Sequence, residues 1–436
     1  MSAWRGRSLH FIAIGGAGMS GLALVAHRLG ATVTGSDRVG SSYLERLRAA
    51  GLEPRIGHYR DNVPAGAEVV VSTAVPEDNP ELTVARERGQ RVLHRGELLA
   101  ELCAGRRLIA VGGTHGKTTT TAMLVWALRG IGENPVWFLG GELPGGGEDG
   151  SPANAAWGEG DWAVAEADES DASFLRLRPE VAVVTNLEMD HHSRWGSMSD
   201  LHEAFEQFTG AASGVALPDD PELGDLAGER SVTFGEGSPG PTALELAVPG
   251  RHNLLNARAA LAAVELAGLD VAGAAAALAD FPGVRRRLEL KGERNGARVY
   301  DDYAHHPTEV RAALEALRGL GPRRLVAVFQ PHLYSRTKAL AEGFGAALSL
   351  ADEVGVLEVY AAREKPVAEL AGVSGLQVAA ATADRAGGRP VWWLRDAGRA
   401  ERALAPRLGE GDILVTLGAG DVFELADSLV ANGRGS

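Results

Sequence analysis

Gly113-Thr114-His115-Gly116-Lys117-Thr118 is the stretch on which the reading of this chain turns. The apolar run Leu108-Ile109-Ala110-Val111 precedes it, and residues 119–128 have helical character. Strand, glycine turn, Lys-Thr and helix is the order that cradles a nucleoside triphosphate. Glycines let main-chain N–H groups converge on phosphate oxygens, and the helix N-terminus adds partial positive charge. Lys117 then supplies a mobile cation at the β- and γ-phosphates, and Thr118 a hydroxyl ligand for Mg2+ or Mn2+. Such loops usually carry a further glycine five residues before Gly116; Val111 stands there, so the turn is expected to fall to Gly112-Gly113. The alternative is a packing turn with an exposed lysine. Lysine usage argues against it: of 43 Lys and Arg only Lys117, Lys291, Lys338 and Lys365 are lysines. An ammonium kept in an arginine-biased chain points to a local chemical need.

The 436 residues suffice for two to four domains, each with its own core. A net charge of −14 speaks against non-specific binding to nucleic acid or anionic membranes. The single cysteine, Cys103, excludes an intrachain disulfide and a cysteine-based zinc site, and its apolar helical neighbourhood makes it a core residue. The run 9–14 ends at once in Gly15-Gly16, and no apolar stretch reaches spanning length. A soluble cytoplasmic protein is expected, monomeric or weakly dimeric, without membrane insertion.

Strands and helices alternate in three blocks. Strand candidates in the first are 9–14, 32–35, 69–71 and 91–93, with helices at 19–29, 43–50, 81–88 and 96–102. The second has strands at 108–111, 162–165 and 181–185, a glycine-rich loop at 140–150 and an Ala-rich helix at 253–267. The third has strands at 298–300, 324–329, 353–357, 390–394 and 413–417. The alternation predicts an α/β fold with mostly parallel, doubly wound sheets.

Polar segments cluster at the predicted strand ends. Gly16-Ala17-Gly18-Met19-Ser20-Gly21 fits the dinucleotide fingerprint, and Asp37, 21 residues past Gly16, stands where a carboxylate meets a ribose hydroxyl. NAD, FAD and a UDP-sugar all offer the diphosphate such a loop binds; a turn needed only for packing is the alternative. Ser72 and Thr73 close another strand at the same presumptive edge. Glu166-Ala167-Asp168-Glu169-Ser170-Asp171 packs four carboxylates that repel one another unless exposed or neutralised by metal or arginine. Glu166, at a strand's C-terminal end, suits Mg2+. Asn186 to His192 includes His191, a ligand for a second metal or part of a capped turn. Asn253 and Asn256 share a helix face and either read an adenine edge or cap the helix. Arg285-Arg286-Arg287 is a solvated turn or a hinge arginine reaching a phosphate. The segments 301–307 and 330–337 are too polar for purely structural loops.

Taken together, these segments resemble the Mur ligase family of peptidoglycan synthesis. The likeness rests on GGAGMSG, GTHGKTTTT, EADESDASF, TNLEMDHH, HNLLNA, GVRRR, DDYAHHPTE and FQPHLYSRT, in that order along nearly the whole chain. It implies three domains: 1–106, Rossmann-like, for the UDP-sugar; 107–285, a P-loop ATPase; 286–436, Rossmann-like, for the incoming amino acid. It implies that ATP phosphorylates a muramoyl carboxylate and that an amine displaces the phosphate. Some members carry a carbamoylated lysine between two metals; this chain has no lysine between Lys117 and Lys291, as befits a member joining L-alanine to UDP-N-acetylmuramate. By resemblance, Gly16, Ala17, Gly18, Met19, Ser20, Asp37, Ser72 and Thr73 would hold the UDP-sugar. Gly113, Thr114, His115, Gly116, Lys117, Thr118 and Thr119 would hold ATP, with Asn256 at adenine, Asp301 or Asp302 at the ribose, and Arg286 beside them. Thr118 and Glu166 would hold one metal and His191 a second. Tyr303, His305, His332 and Arg336 would surround the muramoyl and alanine ends, with Lys117, His191, His305 and Arg336 catalytic. A ligase recycling a tripeptide onto the same sugar is the near rival. An NAD-dependent oxidoreductase is the distant one, and it leaves GTHGKTT unexplained.

Overall fold

The computed structural model describes residues 4–147, 149–189, 195–236, 244–362 and 364–432. They build three sheets. The first contains β1 (Ser8–Ile12), β2 (Thr32–Asp37), β3 (Arg55–Ile56), β4 (Glu68–Val71) and β5 (Val92–His94), ordered β3-β2-β1-β4-β5 with every pair parallel. The second contains β6 (Arg107–Gly112), β7 (Val136–Leu143), β8 (Ala153–Ala156), β9 (Trp162–Glu166), β10 (Val181–Val184), β11 (Gly214–Pro218) and β12 (Ser231–Phe234). Its order is β12-β11-β10-β6-β9-β7-β8, and only the β7–β8 pair is antiparallel. The third contains β13 (Glu289–Arg294), β14 (Ala297–Asp302), β15 (Arg324–Phe329), β16 (Glu353–Leu357), β17 (Val391–Arg395) and β18 (Asp412–Leu417). Its order is β13-β14-β18-β15-β16-β17, antiparallel only at β13–β14.

The chain forms two compact units. One is Met1–Leu246 with Leu255–Pro282 and holds the first two sheets; the other is Ala247–Leu254 with Gly283–Ser436 and holds the third. In the first unit, β6 is buried along five of its six residues, as a strand covered on both faces must be. Its register aligns Val111 with Glu166 of β9 and Gly112 with Val184 of β10. That alignment brings the ends of three central strands to one edge. Behind them Phe174, Phe205 and Phe208 pack with ring centroids 5.1 to 6.2 Å apart. The first sheet meets the second through the helix Ala17–Arg28. A Cβ on Gly21 would stand 2.9 Å from the Ala155 Cβ, so the fingerprint's third glycine serves close packing against β8. In the second unit, Phe329 of β15 lies against Phe344, centroids 4.7 Å apart, within a core that includes Leu314 and Val415.

Two sequence expectations need correction. The glycine-rich segment 140–150 is not all loop, because β7 continues through Gly140 and Gly141 to Leu143. A Cβ at Gly140 would lie 2.9 Å from a Glu166 oxygen, so glycine there permits a close backbone approach within an extended strand. Strands β3, β7, β8, β11, β12 and β13 were not foreseen; β13, Glu289–Arg294, is a charged edge strand whose one apolar side chain, Leu290, is exposed. Among the described residues no helix is long and apolar enough to cross a membrane.

Candidate active site

Gly113 has φ +126° and Gly116 φ +78°, both in the region that favours glycine. A Cβ at Gly113 would fall 2.1 Å from Thr185 Oγ1, and one at Gly116 2.5 Å from Asn256 Oδ1. The loop is therefore shaped by contact as well as by dihedral angle, and Asn256 stands against it. Its outer side is tied to the end of β10. The His115 N–H donates to Asn186 Oδ1 at 2.9 Å, and the Thr185 hydroxyl donates to the His115 carbonyl at 2.6 Å. Thr114 and Glu188 exchange bonds at 2.9 and 2.8 Å. The helix Lys117–Gly130 starts directly behind the loop, with Thr119 buried in its first turn.

Lys117 Nζ is folded back into this loop. It donates to the Gly113 and Thr114 carbonyls at 2.6 and 3.0 Å and meets the Glu169 carboxylate at 2.9 Å. Burial works against its charge, but Glu169, Asp168 and Glu166 hold the ammonium above its usual range. Burial, reinforced by Asp168, pushes Glu169 up to about 7 against the pull of Lys117. Asp168 goes the other way: despite burial, Arg95 and then Lys117 hold it down at about 2. The acidic segment is thus neutralised by a lysine on one side and an arginine on the other. Arg95 Nε donates to Asp171 at 2.9 Å and Nη2 to Asp168 at 2.7 Å. The sequence reading missed Arg95; its signal is a cationic residue immediately after a strand's C-terminal end, the edge where ligands gather.

Thr118 Oγ1 donates to Glu166 Oε1 at 2.9 Å, and Gly140 N donates to Glu166 Oε2 at 2.7 Å. A hydroxyl and a carboxylate this close at a phosphate-type loop form a hard oxygen donor set, which fits Mg2+ or Mn2+ and not a soft metal. His191 lies outside the described residues.

In the first sheet, Gly16, Asp37 and Ser72 follow or end β1, β2 and β4, three neighbouring parallel strands. Ala17 and Gly18 open the helix; Met19 and Ser20 are buried beneath it. The Asn154 amide donates to the Ala17 carbonyl and to Ser20 Oγ at 2.5 and 2.9 Å. Asp37 accepts from the Gly15 N–H at 2.8 Å, so one carboxylate oxygen already braces the glycine turn. Thr73 is exposed and Ser72 half-buried at the same edge.

In the second unit, residues following β14 and β15 come together. The rings of Tyr303 and His305 are 5.4 Å apart and those of His305 and His332 6.0 Å. Arg336 Nη1 is 3.5 Å from His332 Nδ1. Tyr360, absent from the sequence reading, stacks on His332 at 5.8 Å. His305 Nδ1 lies 3.0 Å from the Tyr303 carbonyl; a carbonyl only accepts, so a neutral ring bonded there keeps Nε2 as its basic nitrogen. Arg286 bonds Asp301 at 3.1 Å and the Gly418 carbonyl at 2.8 Å, with its guanidinium over Tyr303 and Phe423. Asp302 accepts from Leu288 and Ala304 N–H groups, both at 2.7 Å; burial raises it to about 6. Both aspartates are buried, Asp301 against Arg286 and Asp302 against two main-chain N–H groups.

Comparison with known proteins agrees with this geometry. Three family models match along the chain: "Mur ligase family, catalytic domain" at residues 8–107, "Mur ligase middle domain" at 111–243 and "Mur ligase, glutamate ligase domain" at 286–420. UDP-N-acetylmuramate–L-alanine ligases from Kineococcus radiotolerans and Mycolicibacterium vanbaalenii are 48% and 45% identical. The alignments cover 95% of this chain and 93% of the first, and 97% and 95% for the second. The crystal structure of UDP-N-acetylmuramate-alanine ligase MurC from Thermotoga maritima superposes with a TM-score of 0.84 at 29% identity, over 98% of this chain and 99% of that one. A murein peptide ligase from Psychrobacter arcticus gives 0.71 at 25%, covering 99% of both. With its three sheets, phosphate-type loop and full-length relatives, the chain belongs to the Mur ligase family.

Proposed function

We propose that this protein joins L-alanine to the carboxylate of UDP-N-acetylmuramate, converting ATP to ADP and phosphate, as a step in cytoplasmic peptidoglycan precursor synthesis. The observation that carries the reading is near-full-length identity of 45 to 48% to ligases of that name. The loop geometry supports the ATP half: a charged lysine and a Thr-Glu oxygen pair at one sheet edge, where a glycine turn leads into a helix N-terminus. The domain roles follow, with 1–106 for the UDP-sugar, 107–285 for ATP and 286–436 for alanine.

The chemistry must bring two anions together. A carboxylate oxygen of the muramoyl group attacks the γ-phosphorus, the bond to the β-bridging oxygen breaks, and ADP leaves. The alanine amine then attacks the acyl carbon, an amide forms, and phosphate departs with the bonding pair. Lys117 follows the charge as it spreads over the transferring phosphoryl oxygens. Thr118 and Glu166 would hold a magnesium ion, which supplies positive charge between the two anions. Asn256, against the loop, would take adenine. Arg336 would bind the alanine carboxylate, and His305 Nε2 would take the proton released when the amine bonds. Tyr303 and His332 would wall the acceptor site.

The test incubates purified protein with UDP-N-acetylmuramate, ATP and Mg2+ and follows phosphate release with each amino acid and with a muropeptide-type tripeptide. Alanine-dependent release supports the reading. Release with tripeptide alone would transfer the protein to the recycling reaction, and release with neither would refute both.

A further inference from the structure

Arg95 has a position that the ligase reaction does not by itself require. It opens the helix Arg95–Cys103 at the end of the first sheet, yet its Nε and Nη2 grip Asp171 and Asp168 of the second sheet's acidic loop. The next residue along from Asp168 is Glu169, which holds Lys117. The third guanidinium nitrogen, Nη1, points the opposite way. It lies 3.2 Å from where a Cβ would stand on Gly18, in the fingerprint turn. No hydrogen bond to Nη1 occurs among the described residues. Glycine at position 18 leaves room for this nitrogen, and the fingerprint turn is where a diphosphate lies on N–H groups. One planar cation therefore spans the two turns: carboxylates on one flank, the diphosphate seat on the other. Lysine, a point charge, could serve one flank only.

We propose that Arg95 is a positioning residue that couples the two nucleotide sites, its Nη1 reading the UDP-sugar diphosphate while Nε and Nη2 fix the loop that sets Lys117. The inference rests on the functional reading above. A diphosphate at Gly18 pins the guanidinium. The pinned guanidinium orders Asp168 and Asp171, and the ordered loop holds Glu169 and Lys117 in register with incoming ATP. Because equilibrium coupling is reciprocal, each ligand tightens the other by the same factor.

Calorimetry on the full chain measures this directly, titrating UDP-N-acetylmuramate and a non-hydrolysable ATP analogue with Mg2+, each alone and each with the other saturating. The unaltered protein should show mutual tightening of about fivefold or more, the low end of typical couplings. Arg95→Gln should weaken the UDP-sugar about tenfold, the usual order for a lost charge-assisted bond, and bring the coupling to unity. Arg95→Lys should restore part of the sugar affinity and none of the coupling. Asp168→Asn with Asp171→Asn leaves Nη1 in place, so sugar affinity should hold while coupling disappears; this pair also decides the matter if Arg95→Gln does not fold. Coupling that survives Arg95→Gln or the paired aspartate change, or unity in the unaltered protein, would overturn the proposal. Failure of the unaltered protein to bind either ligand is a different result, and it would overturn the functional reading first.

Discussion

Placing a methyl group on Gly113 gives the sharpest quantitative test of the loop. At φ +126° an L residue is strained by about 2 kcal/mol. The new Cβ would sit 2.1 Å from Thr185 Oγ1, forcing that buried hydroxyl to rotate and abandon the His115 carbonyl it now bonds at 2.6 Å, a loss of about 1 kcal/mol. Two main-chain atoms, Thr185 N at 2.9 Å and Asn186 O at 3.0 Å, cannot rotate away, and such overpacking costs about 2 kcal/mol more. The sum for Gly113→Ala is about 5 kcal/mol, felt where β6 meets β10. Gly105→Ala is the control: φ +80° with nothing within 4 Å of the new Cβ, hence strain alone, about 1 to 2 kcal/mol. Native-state hydrogen exchange reads the difference locally, with β14 in the other unit as internal reference. Protection of β6 amides should fall about a thousandfold or more in Gly113→Ala and about tenfold in Gly105→Ala. Adding Thr185→Ala to Gly113→Ala should change protection little, since the hydroxyl's bond to the His115 carbonyl is already lost in the single variant and the main-chain contacts remain. Equal losses at Gly113 and Gly105 would refute the argument that contacts, and not dihedral strain alone, demand glycine in the loop.

Four further outcomes are expected. Lys117→Ala should lower kcat by about a thousandfold or more while the UDP-sugar Kd stays within about twofold, if the lysine acts as proposed on the transferring phosphoryl group; parallel loss of both in calorimetry and turnover would contradict that division. Glu166→Gln should raise the Mg2+ concentration for half-maximal turnover at least about tenfold, since even groups that merely orient a ligand cost that much; an unchanged Mg2+ titration would remove Glu166 from the metal. Glu81→Ala should lower the unfolding midpoint through a loss of about 3 kcal/mol: Glu81 is fully buried and accepts from Ser36, Asn62 and the Tyr59 N–H, three bonds that would be lost together. Burial raises Asp302 from 3.8 to about 6, so its contribution to stability is complete below about pH 4 and fades as pH rises through 6. Asp302→Asn should accordingly gain on the unaltered protein between pH 4 and 7, by about 3 kcal/mol at most, and denaturant curves showing a gain toward acid would reverse the sign.

Much of the architecture was legible because buried parallel strands are runs of Val, Ile, Leu and Ala. β6, β10, β15 and β16 are of this kind and stood out in the sequence. Burial did not betray every strand, since β8 and β11 are largely buried and were not foreseen; two others that escaped have residues that answer to something else. β7 carries glycine at position 140 because Glu166 needs the space, and β13 is charged because it lies at an edge. The site divided in the same way. Local turns such as Gly113 to Thr118 announce themselves through contiguous residues. Arg95, 73 and 76 positions from the carboxylates it binds, carries no local mark, and Tyr360 reaches His332 only through the return of the chain after β16. Asp37 was found by spacing, but its bond to the Gly15 N–H depends on the turn's own backbone and could not be counted from sequence.

If the proposed ATP site is right, the acidic loop also accounts for how a chain of net charge −14 would receive a triphosphate. Repulsion is a local matter at these distances, since exposed charges beyond roughly 10 Å are largely screened. Within the loop the two carboxylates nearest Lys117 are made unequal. Asp168 is held near 2 by Arg95 and remains an anion, so it stays with the arginine. Burial and then Asp168 push Glu169 up against the pull of Lys117, so Glu169 owes its charge to the ammonium beside it. On the proposed reading, phosphate oxygens arriving at the Gly113 and Thr114 turn would meet a lysine already charged, already at the loop and paired with Glu169. Arg95 and Lys117 divide the loop's carboxylates between them, so on the proposed reading an incoming triphosphate has to displace only Glu169 from the lysine, while Asp168 stays with the arginine.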